Sequence, residues 1–216
     1  LTEKRVLILD GGMGTMVQKY GVKGCSDELN ITRPEIISDI HRRYLNAGAD
    51  IITTNTFSSQ AVSLADYGWQ ERVREFNLSA ARIARQAADA FTFTNPEKPR
   101  YVAGSVGPTN KCVSFGTAGC APLATEVLQK AYAEQIEALL DGGVDILLIE
   151  TIFDLENAYY AMRAAEEVMA SRGVRLPIML SFAQVNASGM NMNGQNVFAF
   201  IERNMRDFDI FSVGVN

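Results

Sequence analysis

Histidine and tryptophan occur once each in this sequence, cysteine three times, and no stretch gathers basic residues into a block. With His41 as the only histidine, a Ser-His-Asp mechanism has no good candidate. His41 falls within a helical pattern beside Arg42 and Arg43, so the expectation is a satisfied surface or boundary imidazole, not a general base or metal ligand. Cys25, Cys112 and Cys120 are odd in number in a chain too large to need disulfide staples, which suits a reducing compartment. Their spacing is unlike the tight pairs of structural zinc sites, and they read as free thiols. Twenty Lys and Arg are scattered among 25 Asp and Glu, for a net charge of -5, which argues against a nucleic-acid partner. No run approaches the roughly 18 apolar residues of a membrane span, and Leu1 to Val6 carry no signal core. A cytoplasmic protein without membrane contact is the expectation.

What the sequence has is apolar material, 47% of its 216 residues, enough for one sizeable core. Short unbroken apolar runs mark strands covered on both faces: Val6–Leu9, Ile51–Thr54, Tyr101–Ala103, Ile146–Ile149, Ile178–Leu180 and Ile210–Val213. Helical patterns lie between most of them. One opens on a Thr32/Glu35 capping box with Pro34 in its first turn and ends at Gly48. A second runs from about Glu126 to Gly142, and a third from a cap at Asp154 to Gly173. The segment Leu45–Thr56 repeats the pattern of Leu140–Thr151: helix end, glycine, Asp, strand. Six such βα steps predict an α/β fold of the (β/α)8 TIM-barrel type, with about six of eight units in residues 1–216. The chain stops on a strand end, Val213–Asn216, which reads as a barrel domain incomplete at its C-terminal side. An open doubly wound sheet is the runner-up; Gly11-Gly12-Met13-Gly14 lacks the spacing of a dinucleotide fingerprint.

A parallel barrel gathers its site at the carboxyl ends of the strands, which here carry Asp10, Asn55, Ser105, Glu150, Ser181 and Asn216. Asp10 and Glu150 follow strictly apolar runs, so they are placed in a low-dielectric mouth suited to gripping a cation. Helix capping is an even alternative for Asp10 but a poorer one for Glu150, whose neighbour Asp154 is the better cap. Gly11, Gly12 and Gly14 bring backbone N–H groups within reach of an anionic group, though glycines are also routine turn formers after a strand. No lysine ends a strand to form a Schiff base, so an aldolase-type barrel ranks last.

The runs Leu9-Asp10-Gly11-Gly12-Met13-Gly14-Thr15-Met16, Ala47–Ile52 with Thr54-Asn55-Thr56-Phe57, Gly107-Pro108-Thr109-Asn110, Leu148-Ile149-Glu150-Thr151 and Ala187-Ser188-Gly189 with Gly194-Gln195 occur in this order. Together they resemble the homocysteine-binding N-terminal domain of the cobalamin-dependent methionine synthase family, over about Val6 to Asn216. The resemblance implies transfer of a methyl group from methylcobalamin to zinc-activated homocysteine, giving methionine. Its implied partners are homocysteine and the modules of a longer protein that bind methyltetrahydrofolate, cobalamin and S-adenosylmethionine. It implies substrate contacts at Asp10, Gly11, Gly12, Asn55, Ser105, Glu150 and Asn216, the two acids holding the homocysteine ammonium. The family's zinc cysteines follow the position of Gly214-Val215-Asn216, so neither zinc nor methylcobalamin is expected on this chain, no catalytic residue is assigned within it, and alone it is expected to be inactive. Betaine- and S-methylmethionine-dependent homocysteine methyltransferases share the Asp-Gly-Gly and Glu-Thr motifs and are the nearest alternative, followed by a non-catalytic barrel fragment. The segments Gly21–Asn30 and Lys111–Thr117 are short relative to the family pattern, both in loops.

Overall fold

The computed structural model describes residues 6–22, 24–112, 121–183 and 185–216. In chain order its elements are α1 (Met13–Gln18), α2 (Leu29–Thr32), α3 (Pro34–Ala47), β1 (Ile51–Thr53), α4 (Ala61–Leu64), α5 (Val73–Thr94), β2 (Tyr101–Val106), β3 (Lys111–Cys112), β4 (Ala121–Pro122), α6 (Thr125–Asp141), β5 (Ile146–Ile152), α7 (Leu155–Arg172), β6 (Ile178–Phe182), α8 (Val197–Asn204) and β7 (Ile210–Val215). All sheet pairings are parallel, in the order β1-β2-β5-β6-β7, while β3 and β4 form a separate two-stranded ladder. The order skips from β2 to β5 because that ladder belongs to the loop between them. Among the described residues the sheet does not close on itself.

Helices cover one face of this sheet. Ile52, Val102, Val106, Leu147, Ile149, Ile152, Ile178, Leu180 and Phe182 point into the core beneath them, with Leu128, Tyr132, Ile136, Leu139, Met162 and Val168 from α6 and α7. The alternate residues Ile51, Ala103, Ile146 and Leu148 form a smaller apolar cluster on the opposite face. Period-two alternation therefore sends Thr53, Ser105 and Glu150 to that opposite face, one step beyond its apolar layer.

The helix α5 has no counterpart among the helices read from sequence, because its buried stripe is mostly small. Phe76, Asn77, Ala80, Ala81, Ala84, Ala87 and Ala88 lie inward at helical spacing. The small residues permit close approach: a Cβ on Gly142, at the end of α6, would stand 2.2 Å from the Cβ of Ala81.

Four expectations need correction. Residues 6–9 do not form a regular strand: Leu9 makes an isolated parallel bridge to Ile51, and the carboxylate of Asp50 accepts the Ile8 N–H (2.9 Å). Val6 and Ile8 are 85% and 55% exposed, so this run is not covered on both faces. The Thr32/Glu35 capping box is not made, because Thr32 closes α2 and its hydroxyl donates to the Glu28 carbonyl (3.1 Å); Arg33 is the N-cap of α3, without a side-chain bond. His41 is fully buried, sharing the inward stripe of α3 with Ile37 and Leu45, and neither ring nitrogen has a hydrogen-bond partner. The expected strand ends are also too short at β2, β5, β6 and β7, which run to Val106, Ile152, Phe182 and Val215. The cap at Asp154 and the left-handed glycines Gly48 and Gly173 fall where the sequence places them. Cys120 and the altered loop at 113–117 lie outside the described residues, as does the side chain of Cys112.

Candidate functional site

Above the apolar cluster of Ile51, Ala103 and Leu148 lies a cleft of about 540 Å³. All seven residues singled out as substrate contacts line it: Asp10, Gly11, Gly12, Asn55, Ser105, Glu150 and Asn216. Thr53, Phe57 and Ser181 join them. Thr53 was missed by sequence reasoning, although its parity with Ile51 marks it as the β1 residue on this face.

Asp10 is held by β1: the Thr53 N–H and hydroxyl donate to its two carboxylate oxygens (2.8 and 2.7 Å). This is side-chain pairing to a neighbouring strand rather than a helix cap, and α1 starts at an N-cap, Gly12, that makes no side-chain bond. Burial pushes the Asp10 carboxyl up to about 6, against the Thr53 hydrogen bonds and with the nearby Glu150 charge adding to the rise. Glu150 accepts a hydrogen bond from the Ser105 hydroxyl (2.5 Å). Its carboxyl is also raised by burial, with the Ser105 and Thr151 hydroxyls opposing. Among the described residues, these two neighbouring acids with raised pKa are anchored only by neutral donors.

Ser105 is fixed in turn from behind the sheet. Its N–H donates to the Thr54 hydroxyl (2.9 Å), and its carbonyl accepts from the Thr56 hydroxyl (2.8 Å). Gln135 of α6 donates to the Thr56 carbonyl (2.9 Å), completing a buried network under the cleft. Asn55 lines the cleft, but its amide is spent on the Ser26 carbonyl (2.9 Å) and Asn30 (3.3 Å). Gly11 is glycine for a packing reason: a Cβ there would stand 2.9 Å from the Tyr44 hydroxyl, which donates to the Gly12 carbonyl (3.1 Å). Gly107 is the stricter case, since its Cβ would meet the Phe57 backbone carbonyl at 2.3 Å, where no side chain can move aside. Thr109 of the same motif donates to Asn157 of α7 (2.9 Å) and so ties the loop after β2 to the helix that follows β5.

The described residues do not offer a zinc site: no group of three or more His, Cys, Asp or Glu among them is arranged to hold a metal ion. Cys25 is buried against Leu64, Val73 and Phe76, and burial pushes its thiol up to about 11, the opposite of a thiolate ligand. His41, without a partner inside α3, is far from exposed. No described helix is long and apolar enough to cross a membrane.

Comparison with known proteins agrees with this geometry. The homocysteine S-methyltransferase family matches residues 7–216. The metallated form of the homocysteine methyltransferase MmuM from Escherichia coli is similar at 25% identity with a TM-score of 0.81, over 99% of this chain and 75% of that one. Its apo form, also 25% identical, matches at a TM-score of 0.74 over 100% of this chain and 74% of that one. With the match spanning every strand that carries the cleft, the chain belongs to the homocysteine S-methyltransferase family.

Proposed function

We propose that the cleft binds the amino-acid end of homocysteine for methyl transfer to its sulfur, the neighbouring carboxylates of Asp10 and Glu150 gripping the ammonium. The observation that carries this reading is the pair itself: two half-buried acids raised together, with hydrogen-bond donors but no basic side chain among the described residues that line the cleft. A cation entering between them relieves both the burial cost and the mutual repulsion. Gly11 and Gly12, at the mouth before α1, supply backbone groups for the substrate carboxylate, and Ser105, Asn55 and Asn216 shape the floor and wall. The apolar floor of Leu148 and the Phe57 ring suit the two methylenes of the side chain.

In this reading the six parallel steps, counting residues 8–10 beside β1, are six of the eight units of a (β/α)8 barrel domain. The methyl donor is methylcobalamin, presented by the methyltetrahydrofolate and cobalamin modules of a methionine synthase. A betaine- or S-methylmethionine-type donor is the second reading, favoured by the likeness to an E. coli homocysteine methyltransferase over nearly the whole chain. Thiol activation by zinc is assigned to none of the residues described, which do not fit it, and these residues are proposed to bind and orient rather than to activate.

Calorimetric titration tests the grip directly. Homocysteine should bind, its analogue lacking the amino group should not, and Glu150→Gln should weaken homocysteine by roughly 30-fold or more, the scale of removing one partner of a buried charged contact. Equal binding of the deaminated analogue would sink the assignment, and a chain that binds neither would be the non-catalytic fragment.

A further inference from the structure

The strand that delivers Glu150 is irregular at that residue. In the pairing of β5 with β6, Ile149 lies opposite Leu180 and Ile152 opposite Phe182, so Glu150 and Thr151 together face Ser181. This is a β-bulge, and it rephases the strand. Leu148 and Glu150 stay on the cleft face, while Ile152, which unbroken alternation would also put there, returns to the core beneath the helices. The residue that absorbs the change is Thr151, with φ at 55°, the one non-glycine residue at positive φ among those described. A β-branched side chain is strained in that region and persists there only when its surroundings hold it.

The Asn216 amide donates to the Thr151 hydroxyl (3.3 Å), and just downstream of Thr151 the chain is tied to the loop between β6 and α8. The side-chain amides of Asn191 and Asn193 both donate to the Phe153 carbonyl (3.0 and 2.8 Å), and the Gln195 side-chain carbonyl accepts the Leu155 N–H (3.1 Å). Asn191 also donates to Gln195 (2.9 Å) and accepts from the backbone N–H groups of Asn193 and Gln195 (3.0 and 2.9 Å), so the three side chains act as one unit. Asn191 is itself 5% exposed. Immediately upstream, the Ile152 carbonyl is taken by the Ala183 N–H (2.9 Å). Residues 152–155 are thereby pinned just after the strained turn.

We propose that Asn191 and Asn193 are positioning residues for Glu150: by clamping Phe153 they hold Thr151 in its left-handed bulge and so keep the Glu150 carboxylate aimed into the cleft. The proposal rests on reading Glu150 as a substrate-binding group. It explains why amides serve here, since two N–H donors on one carbonyl fix its direction without bringing a charge beside Asp10 and Glu150. The groups that face Glu150 are Ser105, Thr151 and, across the cleft, Asp10.

Carboxyl carbon NMR titration of the whole chain tests this without substrate. In Asn193→Ala the Glu150 midpoint should fall toward the ordinary glutamate value as the group swings to water, and the Asp10 midpoint should fall from about 6 as its charged neighbour leaves. Homocysteine affinity should drop about tenfold, the change that roughly 1.4 kcal/mol of released strain produces. Thr151→Gly removes the cost of the left-handed turn. In that background the shift caused by Asn193→Ala should therefore shrink, a coupling that a merely structural loop would not show. Unchanged Glu150 and Asp10 midpoints in Asn193→Ala, or equal shifts with Thr and with Gly at position 151, would overturn the proposal. Asn193→Ala is the variant of choice because it leaves the more buried Asn191 in place. Failure of homocysteine to bind even the parent chain would refute the substrate reading while leaving the titration to judge the clamp.

Discussion

Two acids raised by burial on one small cleft make ligand binding depend on pH in a direction that can be worked out. Asp10 in the free protein loses its proton near 6, and a substrate ammonium needs it ionised. Affinity for homocysteine should thus be flat above about pH 7 and fall as pH drops through 6, by up to about tenfold per unit for one linked proton. The homocysteine thiol, with a pKa near 8.5, does not titrate in that window. Calorimetry between pH 5 and 7.5 checks the slope; affinity rising toward acid would contradict the cation grip. Glu150→Gln should move the Asp10 midpoint down, because the Glu150 charge contributes to its rise. At neutral pH the bound thiol has no described group to ionise it, so purified chain, donor and homocysteine together should give no methyl transfer above background.

Glycines at element junctions separate what supports the cleft from what supports the core. Gly107→Ala pushes a Cβ into the Phe57 carbonyl, whose loop walls the cleft, whereas Gly142→Ala pushes one into Ala81, where α6 abuts α5. Both should lose about 1–3 kcal/mol of stability in chemical denaturation, but only Gly107→Ala should also weaken homocysteine binding. Equal binding by the two would mean Phe57 is no part of the site. The strands that carry Ser105 and Glu150 are legible because apolar runs followed by a polar residue are strong local signals; the same signal before Asp10 marks the position but not a regular strand. The helix α5 was not, since a buried stripe of alanines and Asn77 carries little apolar contrast, and neither was the missing capping box, because Thr32 is claimed by the turn before it. The Thr151 bulge was hidden for another reason: it shifts the register of β5 against β6, a relation between two strands that no single run of residues records.

The same burial that shapes the cleft sets opposing dependences of stability on pH across the molecule. Asp10, Asp27 and Glu150 are all raised above their ordinary values by burial, so the stability they confer is greatest in acid and is lost as pH rises through their folded midpoints. His41 works the other way: burial without any partner lowers its imidazole to about 4, against 6.5 when free. Its contribution is present above 6.5 and is lost as pH falls toward 4, because the unfolded chain takes up a proton that the folded one refuses. Between pH 7 and 5 that loss amounts to about 2 kcal/mol, enough to offset much of the gain from the acids. Replacing the imidazole by an apolar side chain in His41→Leu removes both the titration and two unpaired buried nitrogens. The variant should therefore be at least as stable as the parent at pH 7 and should gain stability on going to pH 5, where the parent stays flat or declines. Urea denaturation at the two pH values measures both slopes, and a variant that declines in parallel with the parent would show that His41 is not the group through which acid weakens this fold.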